Sequence, residues 1–119
     1  MTIEERHIEL VHALAKPGSE ILNAMKPDEA HLLHMALLLA GEVGELVDAI
    51  KKGIIYRRPF DHGNIIEELG DIEFALRGIR LHFDISRELA LLANIIKLQQ
   101  RYPSGSYSDA QAIERADKA

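Results

Sequence analysis

The chain has 119 residues, 47% of them hydrophobic, with no cysteine and a formal charge of −5. That length fits one domain with a modest core, and the missing cysteines exclude disulfides, thiolate zinc sites and cysteine nucleophiles. A pI near 5.6 argues against electrostatic binding of a nucleic-acid polymer, which wants a basic face.

Thr2 followed by Glu5 is a capping-box signature and opens a first helix ending near Lys16, where Pro17-Gly18 breaks it. A short helix follows over about 20–25. Pro27 suits a first helical position, so a long helix is expected over about 28–52, stopped by Gly53. Its middle, MALLLA, is apolar on every side, which suits a central helix or one shared with a partner subunit. The segment 53–63 reads as a loop. Asn64 with Glu67 is a capping-box-like start for the next long helix, which runs to about Phe83. Asp84 or Ser86 opens a fourth helix through Arg101, and Pro103 ends it. Ser108 with Gln111 caps a short terminal helix over about 109–118. No stretch alternates as a strand does, so the expected fold class is all-α, in one domain spanning 1–119. The opening MTIEERHIEL is unlike a signal or transit peptide, and the longest apolar run, 35–40, is too short for a bilayer. A cytoplasmic protein with no membrane partner is expected.

Two of these helices carry the same acid–glycine–acid spelling, Glu42-Val43-Gly44-Glu45 and Glu68-Leu69-Gly70-Asp71. At about 100° per residue, acids three apart sit side by side on one helix face. Met35, Leu38, Leu39, Leu46 and Ala49 fall within about 60° of Glu42 on the helical wheel, and Ile72, Ala75 and Ile79 within about 40° of Glu68. Glu73, Arg77 and Arg80 take the opposite side. A single ExxE is ordinarily a solvated acidic face, but here both pairs lie on stripes that a helix buries. Four carboxylates converging there need a cation. Gly44 and Gly70 hold equivalent places, for which close helix approach is one reading and an old duplication another.

All-oxygen donors favour magnesium, with manganese as a substitute, and magnesium commonly bridges carboxylates to substrate phosphates. Hydrolysis of a phosphate ester or anhydride is the matching chemistry. A helical di-iron site wants Glu-x-x-His on two helices, and here the third positions are Glu45 and Asp71. On the fourth helix Asn94, Lys97 and Arg101 are three and four apart on one face and could reach one ligand, although a basic helix end is also favoured by the macrodipole. Lys51, Lys52, Arg57 and Arg58 bracket the loop between the acid helices, where solvated charge is the ordinary reading. His31 and His34 precede Glu42 by roughly 16 and 12 Å of helix, too far to share its metal.

On these residues the chain resembles the MazG-like all-α nucleoside triphosphate pyrophosphohydrolases, most of all the short single-domain proteins of bacteria and phages. The resemblance runs from about His31 through HLLHMALLLAGEVGELVDAIKK, IIEELGDIEFAL, ANIIKLQQRYPSGSYS and the closing ERADK. It implies a compact bundle of four main helices, a tail over 103–119, and a homodimer or homotetramer. It implies cleavage of (deoxy)nucleoside triphosphates between the α and β phosphates, in the service of clearing surplus or non-standard nucleotides. Glu42, Glu45, Glu68 and Asp71 would hold magnesium, Glu42 or Glu45 would also activate water, and Asn94, Lys97 and Arg101 would bind substrate. Many members carry a further Glu before the first motif, where this chain has Gly41. The competing reading, from a different class, is a non-catalytic helical interaction protein with a metal- or nucleotide-sensing site.

Overall fold

A computed structural model describes residues 1–118. They form six α-helices and a closing 3-10 turn, with no strand among the described residues: α1 (Ile3–Leu14), α2 (Gly18–Ala24), α3 (Pro27–Ile54), α4 (His62–Phe83), α5 (Arg87–Arg101), α6 (Asp109–Glu114) and the turn Ala116–Lys118. The all-α expectation is met. Local chemistry sets most of the boundaries. Thr2 Oγ1 accepts from Glu5 N–H at 3.1 Å, while Glu5 Oε2 accepts from Thr2 N–H at 2.8 Å. Ser86 and Ser108 cap α5 and α6 through the amides of Leu89 and Gln111.

Several boundaries shift from the sequence reading: α3 passes through Gly53 to Ile54, and two other shifts trace to a cap. Helix α4 begins at His62, because Asp61 takes the cap that the pattern gave to Asn64; its Oδ1 accepts from Asn64 N–H at 3.1 Å. The terminal helix stops at Glu114 instead of running to 118. Arg115 adopts the left-handed conformation (φ 52°) and its N–H closes onto the Gln111 carbonyl, turning the chain back toward α5.

The framework is a hairpin of α3 and α4, the two longest helices, packed along one another. Its register is antiparallel: Met35 of α3 lies against Gly78 of α4, and Gly53 near the end of α3 lies against the Phe60 ring just ahead of α4. Met35 and Ala75, both expected on the inner stripes, are buried. The close approaches are made by Gly53 and Gly78. At Gly44 and Gly70 an added methyl would meet nothing within 4 Å, so the chain alone gives the motif glycines no packing role.

The expected compact four-helix bundle is not formed within one chain. Helix α5 packs on α6 and the closing turn, not along α3 or α4. The radius of gyration is 20.7 Å, against about 13–14 Å for a compact chain of this length. The accessible surface is 9794 Å² for 13.3 kDa, roughly 3,300 Å² more than a compact monomer of that mass would expose. Phe74, Leu81 and Ile113 are 65%, 71% and 82% exposed. The physical reason is that α1, α3, α4 and α5 have apolar faces on more sides than one hairpin covers. No described helix is long and apolar enough to cross a membrane.

Gly78→Ala places a methyl within 2.5 Å of the confined Met35 sulfur, and overpacking of this kind costs about 1–3 kcal/mol in urea unfolding. Gly44→Ala, with open space around it, is expected to gain about 0.5–1 kcal/mol of helix propensity in the same measurement. A loss at Gly44 would mean that another surface approaches there.

Candidate metal centre

Helix α3 presents Glu42 and Glu45, and α4 presents Glu68 and Asp71. The hairpin brings three of these four together: one carboxylate oxygen from each of Glu42, Glu68 and Asp71 lies within 4.8 Å of the others. Glu68 is buried, Glu42 half-buried and Asp71 exposed, so the trio runs from the helix seam outward. Glu45 is exposed and stands outside the trio, yet its charge is felt at Glu68. Glu68 Oε2 is buried with no hydrogen-bond partner. A buried carboxylate oxygen without a donor is costly, and it needs either a proton or a cation.

The electrostatics follow from this crowding. The Glu68 carboxyl is pushed up from 4.5 to about 7, first because the Glu42 carboxylate is placed to accept its proton, then by burial, then by the charges of Glu42, Glu45 and Asp71. Like charges this close cannot all ionise unless something positive joins them. The donors are oxygens alone, from two helices, with an outer side open to solvent. That set suits a hard divalent ion that keeps waters and takes further oxygens from a ligand.

The other sequence candidates are placed differently. Asn94 is exposed and Lys97 half-buried on α5, which does not pack along the hairpin that holds the acids. Arg101 has a partner of its own. Its Nε donates to Asp117 Oδ1 at 2.7 Å and its Nη2 to Oδ2 at 3.2 Å, with the Asp117 side chain 2% exposed. The guanidinium holds the Asp117 carboxyl below its ordinary value. This fork ties the tail to α5. Sequence reading missed Asp117, since an acid sixteen residues away carries no periodic signal. Lys52 is held by Asp48 at 2.8 Å and Lys51 lies over the Tyr56 ring at 5.6 Å, so both belong to the end of α3. His31 and His34 are exposed, and neither joins the acid cluster.

A family model, the MazG nucleotide pyrophosphohydrolase domain, matches residues 30–106, well over half of the chain and inclusive of all four acids. No curated protein and no solved structure gives a significant match.

The raised Glu68 carboxyl fixes the sign of a pH dependence. Without metal, the folded chain holds this proton more tightly than the unfolded chain does. That contribution is whole below pH 4.5 and is lost as pH rises through about 7. Thermal melts in EDTA are expected to show falling Tm across that window. Magnesium or manganese should raise Tm more at pH 8 than at pH 5, because the ion takes the place of the proton. Glu68→Gln should flatten the decline and abolish the metal response.

Proposed function

This chain belongs to the MazG nucleotide pyrophosphohydrolase family, and from that premise we propose that it hydrolyses (deoxy)nucleoside triphosphates to the monophosphate and pyrophosphate. The observation that carries the proposal is the convergence of Glu42, Glu68 and Asp71 on a point where a buried carboxylate oxygen lacks a donor. Such a point takes a magnesium or manganese ion, and triphosphates are the oxygen-rich ligands that such ions bring to carboxylates.

Each residue then has a role. Glu42, Glu68 and Asp71 hold the ion, with Glu45 one turn along α3 as the fourth carboxylate. When bound, the ion offsets the charge of the phosphoryl oxygens. Glu45, or Glu42 beside it, orients a water and accepts its proton as the water oxygen bonds to the α phosphorus. The bond between that phosphorus and the bridging oxygen breaks, and pyrophosphate leaves. Asn94 and Lys97 anchor sugar and phosphates. Arg101 holds the tail beside them through the two donors that Asp117 takes, and its remaining donors serve the phosphates.

For Asn94 and Lys97 to serve the acids, α5 must come to the hairpin, and we infer that a second copy of the chain supplies it. Each chain's roughly 3,300 Å² of surplus surface is ample for an obligate homo-oligomer interface, which buries about 2,000–5,000 Å² counted over both partners. Exposed Leu91 and Ile95, on the Asn94 side of the helical wheel, give α5 apolar groups to place there. A homodimer or homotetramer in the cytoplasm, clearing unwanted nucleotides, is the setting that this reading supports.

Purified protein with dNTPs and magnesium is expected to yield monophosphate and pyrophosphate, resolved by ion-exchange chromatography. Glu42→Gln and Glu45→Gln should each lower kcat by about 10²–10⁴-fold, and Lys97→Ala should lower kcat/KM by about 10–100-fold through a lost charged hydrogen bond. Diphosphate plus orthophosphate, or tight binding without turnover, would reject the assignment. Light scattering should read a multiple of 13.3 kDa, and a stable monomer would remove the shared site.

A further inference from the structure

The corner between α4 and α5, on the side of α4 turned away from Glu68 and Asp71, holds a cleft of about 350 Å³. Arg77, Arg80 and Arg87 line it, opposed by one carboxylate, Asp84. The cleft is thus net positive in a chain whose charge is −5. Among the described residues no carboxylate lies within 4 Å of any of the three guanidinium groups, although Arg80 is half-buried. Three cations answered by one carboxylate, and ion-paired with none, repel one another, and Arg77 and Arg80 do so at the three-residue spacing where helix neighbours meet. Guanidinium forks match the geometry of phosphate oxygens.

The corner itself is fixed by backbone bonds. Asp84 turns left-handed (φ 54°), its N–H bonds back to Leu81 O at 3.3 Å, and Ile85 N–H bonds to Arg80 O at 2.9 Å. Ser86 caps α5 by accepting from Leu89 N–H, which leaves the amides of the first two α5 residues without helical acceptors beside Arg87. The apolar part of the lining is Leu81, Ile85 and Leu89. A net positive lining interleaved with three apolar side chains, together with this volume, fits a small organic anion better than a bare inorganic one.

We propose that the α4–α5 corner is a second, metal-independent site for a phosphate-bearing organic anion of nucleoside monophosphate size, gripped by Arg77, Arg80 and Arg87. It stands apart from the carboxylate trio and does not rest on the hydrolytic reading.

Calorimetry on the full chain in EDTA tests this with two probes, a nucleoside monophosphate and inorganic phosphate. The monophosphate is expected to bind, at least fivefold more tightly than phosphate, with affinity falling as salt rises. Arg77→Gln, Arg80→Gln and Arg87→Gln should each weaken it fivefold or more, while Lys97→Gln and Glu68→Gln leave it unchanged. Arg77 is exposed, so its variant folds even if the half-buried Arg80 does not tolerate exchange. The proposal is overturned if neither probe binds, if phosphate binds as tightly as the nucleotide, or if Lys97→Gln weakens binding as the arginine variants do. It is equally overturned if Arg80→Gln changes the oligomeric state and leaves anion binding intact. The Lys97→Gln arm separates binding at the corner from binding of the monophosphate as a product beside the acids, and turnover of triphosphates is read in a separate assay with magnesium.

Discussion

The contact on which the rest of the structure depends is the seam between α3 and α4, where one register sets both packing and charge. Met35 precedes Glu42 by seven residues and Gly78 follows Asp71 by seven, two helical turns in each case. Seating Met35 against Gly78 therefore brings Glu42 level with Asp71, and Glu68 one turn further along the seam. The missing side chain at Gly78 makes room for the methionine. The same register buries Glu68 beside a second carboxyl. A seam that was only structural would replace Glu68 with an apolar residue and lose an unsatisfied oxygen. Its presence at a buried position is a cost to folding that only a proton or a cation offsets.

Much of this was legible in the sequence, for a definable reason. The 3.6-residue period placed Met35 and Ala75 on the same stripes as the acids, and side-chain caps at Thr2, Ser86 and Ser108 marked helix starts that the structure keeps. Long-range pairing was not legible. Nothing in the spacing distinguishes Gly78, which a methionine presses upon, from Gly44, which faces open space. Nor does it reveal that Arg101 is committed to Asp117, because the bond depends on a left-handed turn at Arg115. The cap at Asp61 was readable in principle, since aspartate serves as an N-cap as well as asparagine and stands three residues before Asn64. At the acid cluster the pattern named four residues and the hairpin gathers three. Glu42 of α3 meets both acids of α4, whereas Glu45, about 60° round from Glu42 on its helix, stays exposed and outside the trio.

The distribution of positive charge separates two sides of α4. Glu68 and Asp71 face the hairpin seam, whereas Arg77 and Arg80 face the α5 corner about half a turn round. Placing cations on the seam would neutralise the acids and remove the need for an ion. Keeping them on the far side preserves a negative field at the trio while leaving a positive one at the corner. Helix α4 thus carries opposite electrostatic demands on opposite faces, and neither is satisfied by side chains of the described chain.

The incompleteness of the single chain ties these demands together. Two buried apolar residues and one buried carboxyl are too little to offset the conformational entropy of some 118 ordered residues. Additional burial has to come from outside the hairpin, and the surplus of exposed leucine, isoleucine and phenylalanine side chains shows where. On the proposed reading, assembly covers those faces and carries Asn94 and Lys97 toward the acids, so that gaining a core and gaining a binding site are the same event. The ion then acts at the centre of an element already held on both sides. Its binding energy adds to folding because the ligating carboxylates are adjacent only in the folded hairpin. A chain built in this way is most stable when assembled and loaded with metal, and the residues that repel one another in isolation become the ones that link folding to chemistry.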